Sequence, residues 1–354
     1  MFTNIENLLF ISISLLIGLV YGILAQRKQF CFSGGIKDII LFKHTRRTAS
    51  LIVAITTALI STQLVSFIYD IELTQTRYYL DINYLFIILG GIMFGYGMMI
   101  SDGCSSRHLI KFAQGDKESF FILIALALFS FLTFTLLSIY HIELSQFTVI
   151  QLTSTLQSYT VPLFIMLPIL GYLLYKSLQK CVNFLQVLDG FAIGLLITIT
   201  WYITASLFQD MFIDIQAQSL SFVYPLGKIV QYIQNGFHSS YLIFPVLVVF
   251  GVIIGAFISS KMNKQYSKKQ MCDNSQQNPP SLFKKLIGGA LMGIGGILAV
   301  GCTVGQGLSG LSTLSLASLI AIISIYLTAY LTAKSMHKKN ALIACFIFDF
   351  ESKK

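Results

Sequence analysis

Nine stretches of about 20 apolar residues recur along this chain, each long enough to cross a bilayer core as a helix. They fall at 7–25, 49–69, 84–101, 119–140, 161–178, 186–205, 239–260, 283–300 and 314–333. Only 11% of the 354 residues are charged, whereas a soluble domain carries about 25%. A water-facing surface cannot be covered from that supply, so the expected fold is an all-α polytopic membrane protein. Six cysteines in this length are too sparse for a disulfide scaffold. The 29 Phe and 17 Tyr exclude disorder. The net charge of +9 lies between apolar blocks rather than on a soluble face, so it does not point to nucleic acid.

The connections carry that charge in alternation. Segments 26–48, 102–118, 179–185 with its flank, 261–285 and the C-terminal tail hold 22 of the 24 Lys and Arg residues. Basic loops face the cytoplasm. The pattern therefore predicts a periplasmic N-terminus and a cytoplasmic C-terminus. The first block lacks a basic n-region, carries Glu6 and is too long for a cleaved signal. Segment 217–235, with Pro225, Gly227 and Lys228, reads as an interfacial or re-entrant piece. Segment 267–281 is a solvated linker, and the patch 341–350 is too short to span.

Residues 90–104 (GGIMFGYGMMISDGC) and 288–302 (GGALMGIGGILAVGC) match at six positions with a constant offset of 198. Gly18 and Gly22 pair more weakly with Gly190 and Gly194. A single GxxxG is common in membrane helices; six aligned matches ending in the same Gly-Cys indicate a repeat. The arrangement is 4 + 1 + 4: a first repeat at 1–140, a linking span at 141–183, and a second repeat at 184–354. The second repeat includes the cytoplasmic linker 261–282 and the tail. An odd number of spans between equivalent helices inverts the second copy, as in transporters whose site lies at the repeat interface.

Cys31, Cys104 and Cys302 each follow a span end and precede small residues and a short apolar run, at 36–42, 109–113 and 308–316. Such runs read as half-helices dipping into the membrane, with Ser33, Ser105 and Thr303 as caps. Helix starts favour anions. Cys181, Cys272 and Cys345 read as small buried hydrophobes. Arg107 and His108 stand as accessory attraction for an anion or as a basic flank. Asp102 aligns with Val300 and so falls outside the symmetric machinery. Trp201 and Tyr202 read as an interface belt. No metal ligand spacing appears, and no cofactor is expected.

RKQFCFSGGIKD (27–38), Gly103–Cys104 and GCTVGQGLSGLS (301–312) resemble the YeeE/YedE sulfur-transport family of bacterial inner-membrane proteins, over about 10–333. The resemblance implies an hourglass-shaped fold that imports thiosulfate, with three cysteines passing the ion by S–H hydrogen bonds. Carried over, these are Cys31, Cys104 and Cys302. Ser33, Gly34, Ser105, Thr303, Gly305 and Gly307 stand beside them as substrate-binding positions. Ser105-Ser106-Arg107 departs from the glycine-rich Cys302 copy. Family habit implies a cytoplasmic TusA-type sulfur carrier as partner. Two alternatives stay open: a membrane thiol enzyme (sulfurtransferase or oxidoreductase) and a transporter of a selenium compound.

Overall fold

A computed structural model describes residues 4–43, 45–79, 82–139, 187–207, 216–238, 241–266 and 280–342, with Pro168, Gly171 and Tyr172. The expected span 161–178, the linker 267–281, Cys181, Cys272 and Cys345 lie essentially outside them. Regular structure among the described residues is helical. The long helices are α1 (Asn4–Lys28), α3 (Arg46–Tyr69), α4 (Tyr84–Ile100), α6 (Lys117–Ile139), α7 (Leu188–Tyr202), α9 (Phe244–Met262), α10 (Leu282–Leu298) and α11 (Leu316–Lys338). Short helices α2 (Phe32–Leu41), α5 (Ser105–Ala113) and α8 (Val223–Gln234) lie between them. Seven helical segments among the described residues are long and apolar enough to cross a membrane. The chain is thus a multi-pass membrane protein. α10, at 17 residues, falls short of that length.

Apolar side chains cover the outside: Leu16, Ile60, Leu64, Phe121, Leu128 and Leu327 are all exposed. Polar side chains collect inside, which suits a molecule whose solvent is lipid.

The repeated glycines explain how the helices meet. A Cβ on Gly90 would lie 2.6 Å from the carbonyl oxygen of Gly295, and one on Gly288 would lie 2.7 Å from that of Gly97. α4 and α10 therefore touch backbone to backbone, as small residues permit. The other four glycines face outward from this seam. Gly91 and Gly95 receive α11, while Gly289 and Gly293 receive α6. Gly18 and Gly22 press on α9 at Val248 and Val252, and Gly190 and Gly194 press on α3 at Ser50 and Ala54. α1 thus pairs with α9 as α7 pairs with α3.

One expectation needs correction and another is narrowed. Trp201 is 1% exposed, and its indole N–H donates to Ser312 Oγ at 3.0 Å. It is a buried tie between α7 and the Cys302 segment, because an indole donor inside a protein requires a partner. Segment 217–235 is no surface piece at its start. Leu220 and Phe222 are buried, and Phe222 packs on Tyr21 with ring centroids 5.1 Å apart. The chain then enters α8 through buried Pro225 and Gly227.

Candidate functional site

Three cysteines occupy the same local position. α1, α4 and α10 each end on a residue with positive φ: Gln29 (57°), Asp102 (67°) and Val300 (57°). The next N–H reaches back five residues: Phe30 to Ala25 O at 3.1 Å, Gly103 to Met98 O at 3.0 Å, and Gly301 to Gly296 O at 2.8 Å. This is a Schellman closure, which satisfies the last carbonyls of a helix. The cysteine follows, and a new helix starts on its carbonyl. Gly35, His108 and Gln306 donate to Cys31 O, Cys104 O and Cys302 O at 3.1, 3.0 and 2.7 Å.

The cysteines, not their neighbours, take the cap position. Gly34 N–H donates to Cys31 Sγ, and Gly305 N–H donates to Cys302 Sγ, both at 3.3 Å. Cys104 is the N-cap of α5 without such a bond, and its thiol lies 3.3 Å from Ser106 Oγ. Ser33, Ser105 and Thr303 therefore sit inside the first turn rather than capping it. Ser33 Oγ is 3.0 Å from Cys31 Sγ. Ser105 Oγ and Thr303 Oγ1 are buried with no hydrogen-bond partner among the described residues. The half-helices also begin earlier than their apolar runs. The third, 303–312, widens into a π turn at Gly305–Gly310, a geometry frequent at functional sites.

These segments converge. The thiols of Cys31 and Cys104 lie close enough to influence each other electrostatically. Phe32, next to Cys31, abuts Gly307 of the third segment. Tyr21, 1% exposed, sets its hydroxyl against the Ser106 side chain, within electrostatic reach of Cys31, Cys104 and Cys302. Ser221 Oγ borders Gly305 beside Cys302. Gly34 lies against the Arg47 side chain. All three cysteines are free and buried.

The surroundings differ along this path. Beside Cys302 lie hydroxyls and aromatics. Ser309 Oγ donates to Leu220 O at 2.9 Å, and Tyr78 meets Trp201 edge-on with centroids 6.2 Å apart. Burial pushes the Tyr78 phenol well above its ordinary range, so it stays a neutral donor. A small recess beyond it is lined by Arg77, Gln218, Ser219, Ser221 and Tyr224.

Beside Cys31 and Cys104 the lining is ionic. Asp102 accepts from Lys37 Nζ and, at 2.5 Å, from Lys111 Nζ. Arg47 pairs with Asp38 at 3.2 Å. Arg107 lies in electrostatic contact with Asp102, Cys31 and Cys104. Arg107 and His108 are 5% and 1% exposed, so they are buried inside the protein rather than a solvated flank. His108 Nδ1 sits 3.0 Å from Ser119 Oγ.

Tyr21, Tyr78 and Ser221 were missed from the sequence. A phenol deep in an apolar span was the one available signal for Tyr21, since a buried hydroxyl needs a partner. Ser221 carried no pattern.

The comparisons with known proteins agree with this setting. The sulphur transport family matches residues 27–331. The thiosulfate transporter TsuA of Escherichia coli (strain K12) is 24% identical over 330 residues, covering 83% of this chain and 85% of that protein. Thiosulfate transporter TsuA of Spirochaeta thermophila is 24% identical over 315 residues, covering 84% of this chain and 90% of its own length.

Proposed function

This chain belongs to the sulphur transport family, and from that premise we propose that it is an inner-membrane permease importing thiosulfate through a cysteine-lined constriction. It is a transporter rather than an enzyme. The observation that carries the proposal is the convergence of three buried thiols, each at the start of a half-helix, around Tyr21.

The chemistry suits the cargo. Thiosulfate is a dianion with a soft terminal sulfur. A neutral thiol donates a weak hydrogen bond to it, whereas a thiolate would repel it. Helix starts add N–H groups and a favourable dipole end. Weak donors release as readily as they bind, which conduction requires. The unpartnered Ser105 and Thr303 hydroxyls are available for the oxygen end of the ion.

In this reading the two halves are inverted copies, with Cys302 towards the periplasm and Cys31 and Cys104 towards the cytoplasm. The interchange of α1–α9 with α7–α3 across the glycine seam supports that arrangement. The alternation of basic loops supports a periplasmic N-terminus and cytoplasmic C-terminus. A TusA-type carrier would meet the ion on the cytoplasmic side.

The test is uptake of radiolabelled thiosulfate in bacteria lacking their own thiosulfate and sulfate importers. The native chain is compared with Cys31→Ala, Cys104→Ala and Cys302→Ala at matched expression. Each substitution is expected to lower uptake about tenfold or more, the scale of a lost hydrogen bond to a charged group. Excess sulfate should leave native uptake intact. Silent substitutions would remove the thiol pathway, and absent native uptake would remove thiosulfate as the cargo.

A further inference from the structure

One charged assembly, on the half-helices that start at Cys31 and Cys104, has no counterpart among the described residues of the second copy. Lys37 is on α2, Lys111 is on α5, and Asp102 bridges them from the end of α4. Lys111 Nζ also donates to the Asp102 carbonyl at 3.1 Å. The three residues are 7%, 3% and 5% exposed. One carboxylate therefore ties together the two half-helices that start at Cys31 and Cys104. At the matching places of the second copy stand Val300 and Ser309.

Stability does not account for this bridge. Buried ion pairs often contribute no more than apolar residues of the same size, because desolvation offsets the attraction. The second copy makes the same helix closure and cysteine turn without one. What the bridge supplies is two ammonium groups converging on one acceptor, on the helices that start at Cys31 and Cys104. On the same helix, Ser105 Oγ and His108 Nε2 are buried with no hydrogen-bond partner among the described residues. A desolvated set of cations and open polar atoms is a place for an oxyanion.

We propose that Lys37 and Lys111, with Arg107 beside them, form a second anion site on the basic-loop side of the thiols, held by Asp102 until the transported oxyanion displaces it. The inference rests on the permease reading above. An anion leaving Cys31 and Cys104 takes the two ammonium groups and frees Asp102. Asp102, tethered within reach at high effective concentration, then recaptures the lysines and expels the ion. The carboxylate thus converts a tight site into one that releases. The first copy needs this device because only its side hands the ion on; the second copy admits it.

The test uses the purified full chain, in detergent for binding and in liposomes for uptake, with radiolabelled thiosulfate as the probe. Asp102→Asn keeps the side-chain shape, and asparagine tolerates the left-handed backbone at this position. It is expected to bind thiosulfate about tenfold more tightly than the native chain, the scale of a charge-assisted hydrogen bond regained by the ligand. Its unfolding temperature should rise more on adding thiosulfate, while uptake per molecule slows. Binding no tighter than native would overturn the site.

The neutral triple variant Lys37→Gln/Asp102→Asn/Lys111→Gln removes the ammonium groups too. It is expected to lose the tight binding and the added thermal shift. If it binds as tightly as Asp102→Asn, the lysines are not the site. Should Asp102→Asn fail to fold, the triple variant decides: slowed uptake supports the site, and native uptake overturns it. Native import with an inert Asp102→Asn removes the site alone. A native chain that neither binds nor imports thiosulfate removes the transport reading and the site with it.

Discussion

Residues 98–106 and 296–304 follow one backbone course, and the helices that continue from them carry different chemistry. Each begins at a helix end closed on a left-handed residue, passes through glycine to cysteine, and starts a new helix on the cysteine carbonyl. The first then carries Asp102, Arg107, His108 and Lys111, where the second carries Val300, Gly305, Gln306 and Ser309. The course is set by main-chain hydrogen bonds and by glycines at the α4–α10 seam, which leaves the side chains free to diverge. A path through a membrane needs that freedom, since capture and release make opposite demands on affinity. Even shared geometry is bought differently: Val300, a β-branched residue, occupies a conformation that Asp102 accepts more easily.

The shared course is broken most severely at its foundation. Gly295→Leu would drive a side chain into the Gly90 carbonyl and the Phe94 amide. Over-packing at a seam with no room costs more than about 3 kcal/mol. The expected outcome is loss of monodisperse protein in detergent size-exclusion chromatography. A folded, active Gly295→Leu chain would show that the seam does not hold the two copies in register.

The divergence can be tested by transplanting it. Ser309→Lys places an unpaired cation at a fully buried site and is expected to cost about 3 kcal/mol. Adding Val300→Asp rebuilds the partner that Lys111 has. The double variant should recover at least about 1 kcal/mol relative to the sum of the single variants, read from thermal unfolding of all four proteins. Absence of coupling would mean that the π turn at Gly305–Gly310 has rotated position 309 out of register with 111.

The smallest effect sharpens the backbone comparison alone. Val300→Asn replaces a residue strained at φ 57° with one that tolerates it. Stability should rise by about 1 kcal/mol, measured as an increase in unfolding temperature without change in uptake. A decrease would show that Val300 contributes packing that outweighs its strain.

Much of this was legible in the chain because it depends on short-range pattern. Apolar runs of the right length marked the helices that carry the fold. The glycines at 90–97 and 288–295 marked a close backbone contact, since side chains there would not permit it. Gly103–Cys104 and Gly301–Cys302 marked both the helix closure and the thiols. The cap assignment slipped by one or two residues, because cysteine is a rare cap and Ser33, Ser105 and Thr303 are favoured ones. Trp201 beside Tyr202 read as an interface pair, since composition at a span end cannot tell an indole facing lipid headgroups from one bonded to Ser312.

By itself the sequence marked segments apolar enough to enter the membrane, and two stretches, 90–104 and 288–302, that share a glycine and cysteine pattern. Hydrophobic length and glycine spacing are local, and the bilayer penalises an unsatisfied backbone too heavily to permit alternatives. Only the tertiary structure decided that Tyr21 sits within electrostatic reach of all three buried thiols, that Leu220, Ser221 and Phe222 touch Ser309, Gly305 and Tyr21, and that Asp102 bridges Lys37 to Lys111. Those contacts join residues far apart in the chain: 65 positions separate Lys37 from Asp102, and 111 separate Trp201 from Ser312. No periodicity records such a meeting. It follows from the packing of whole helices, which brings polar groups together because lipid offers them no other partner.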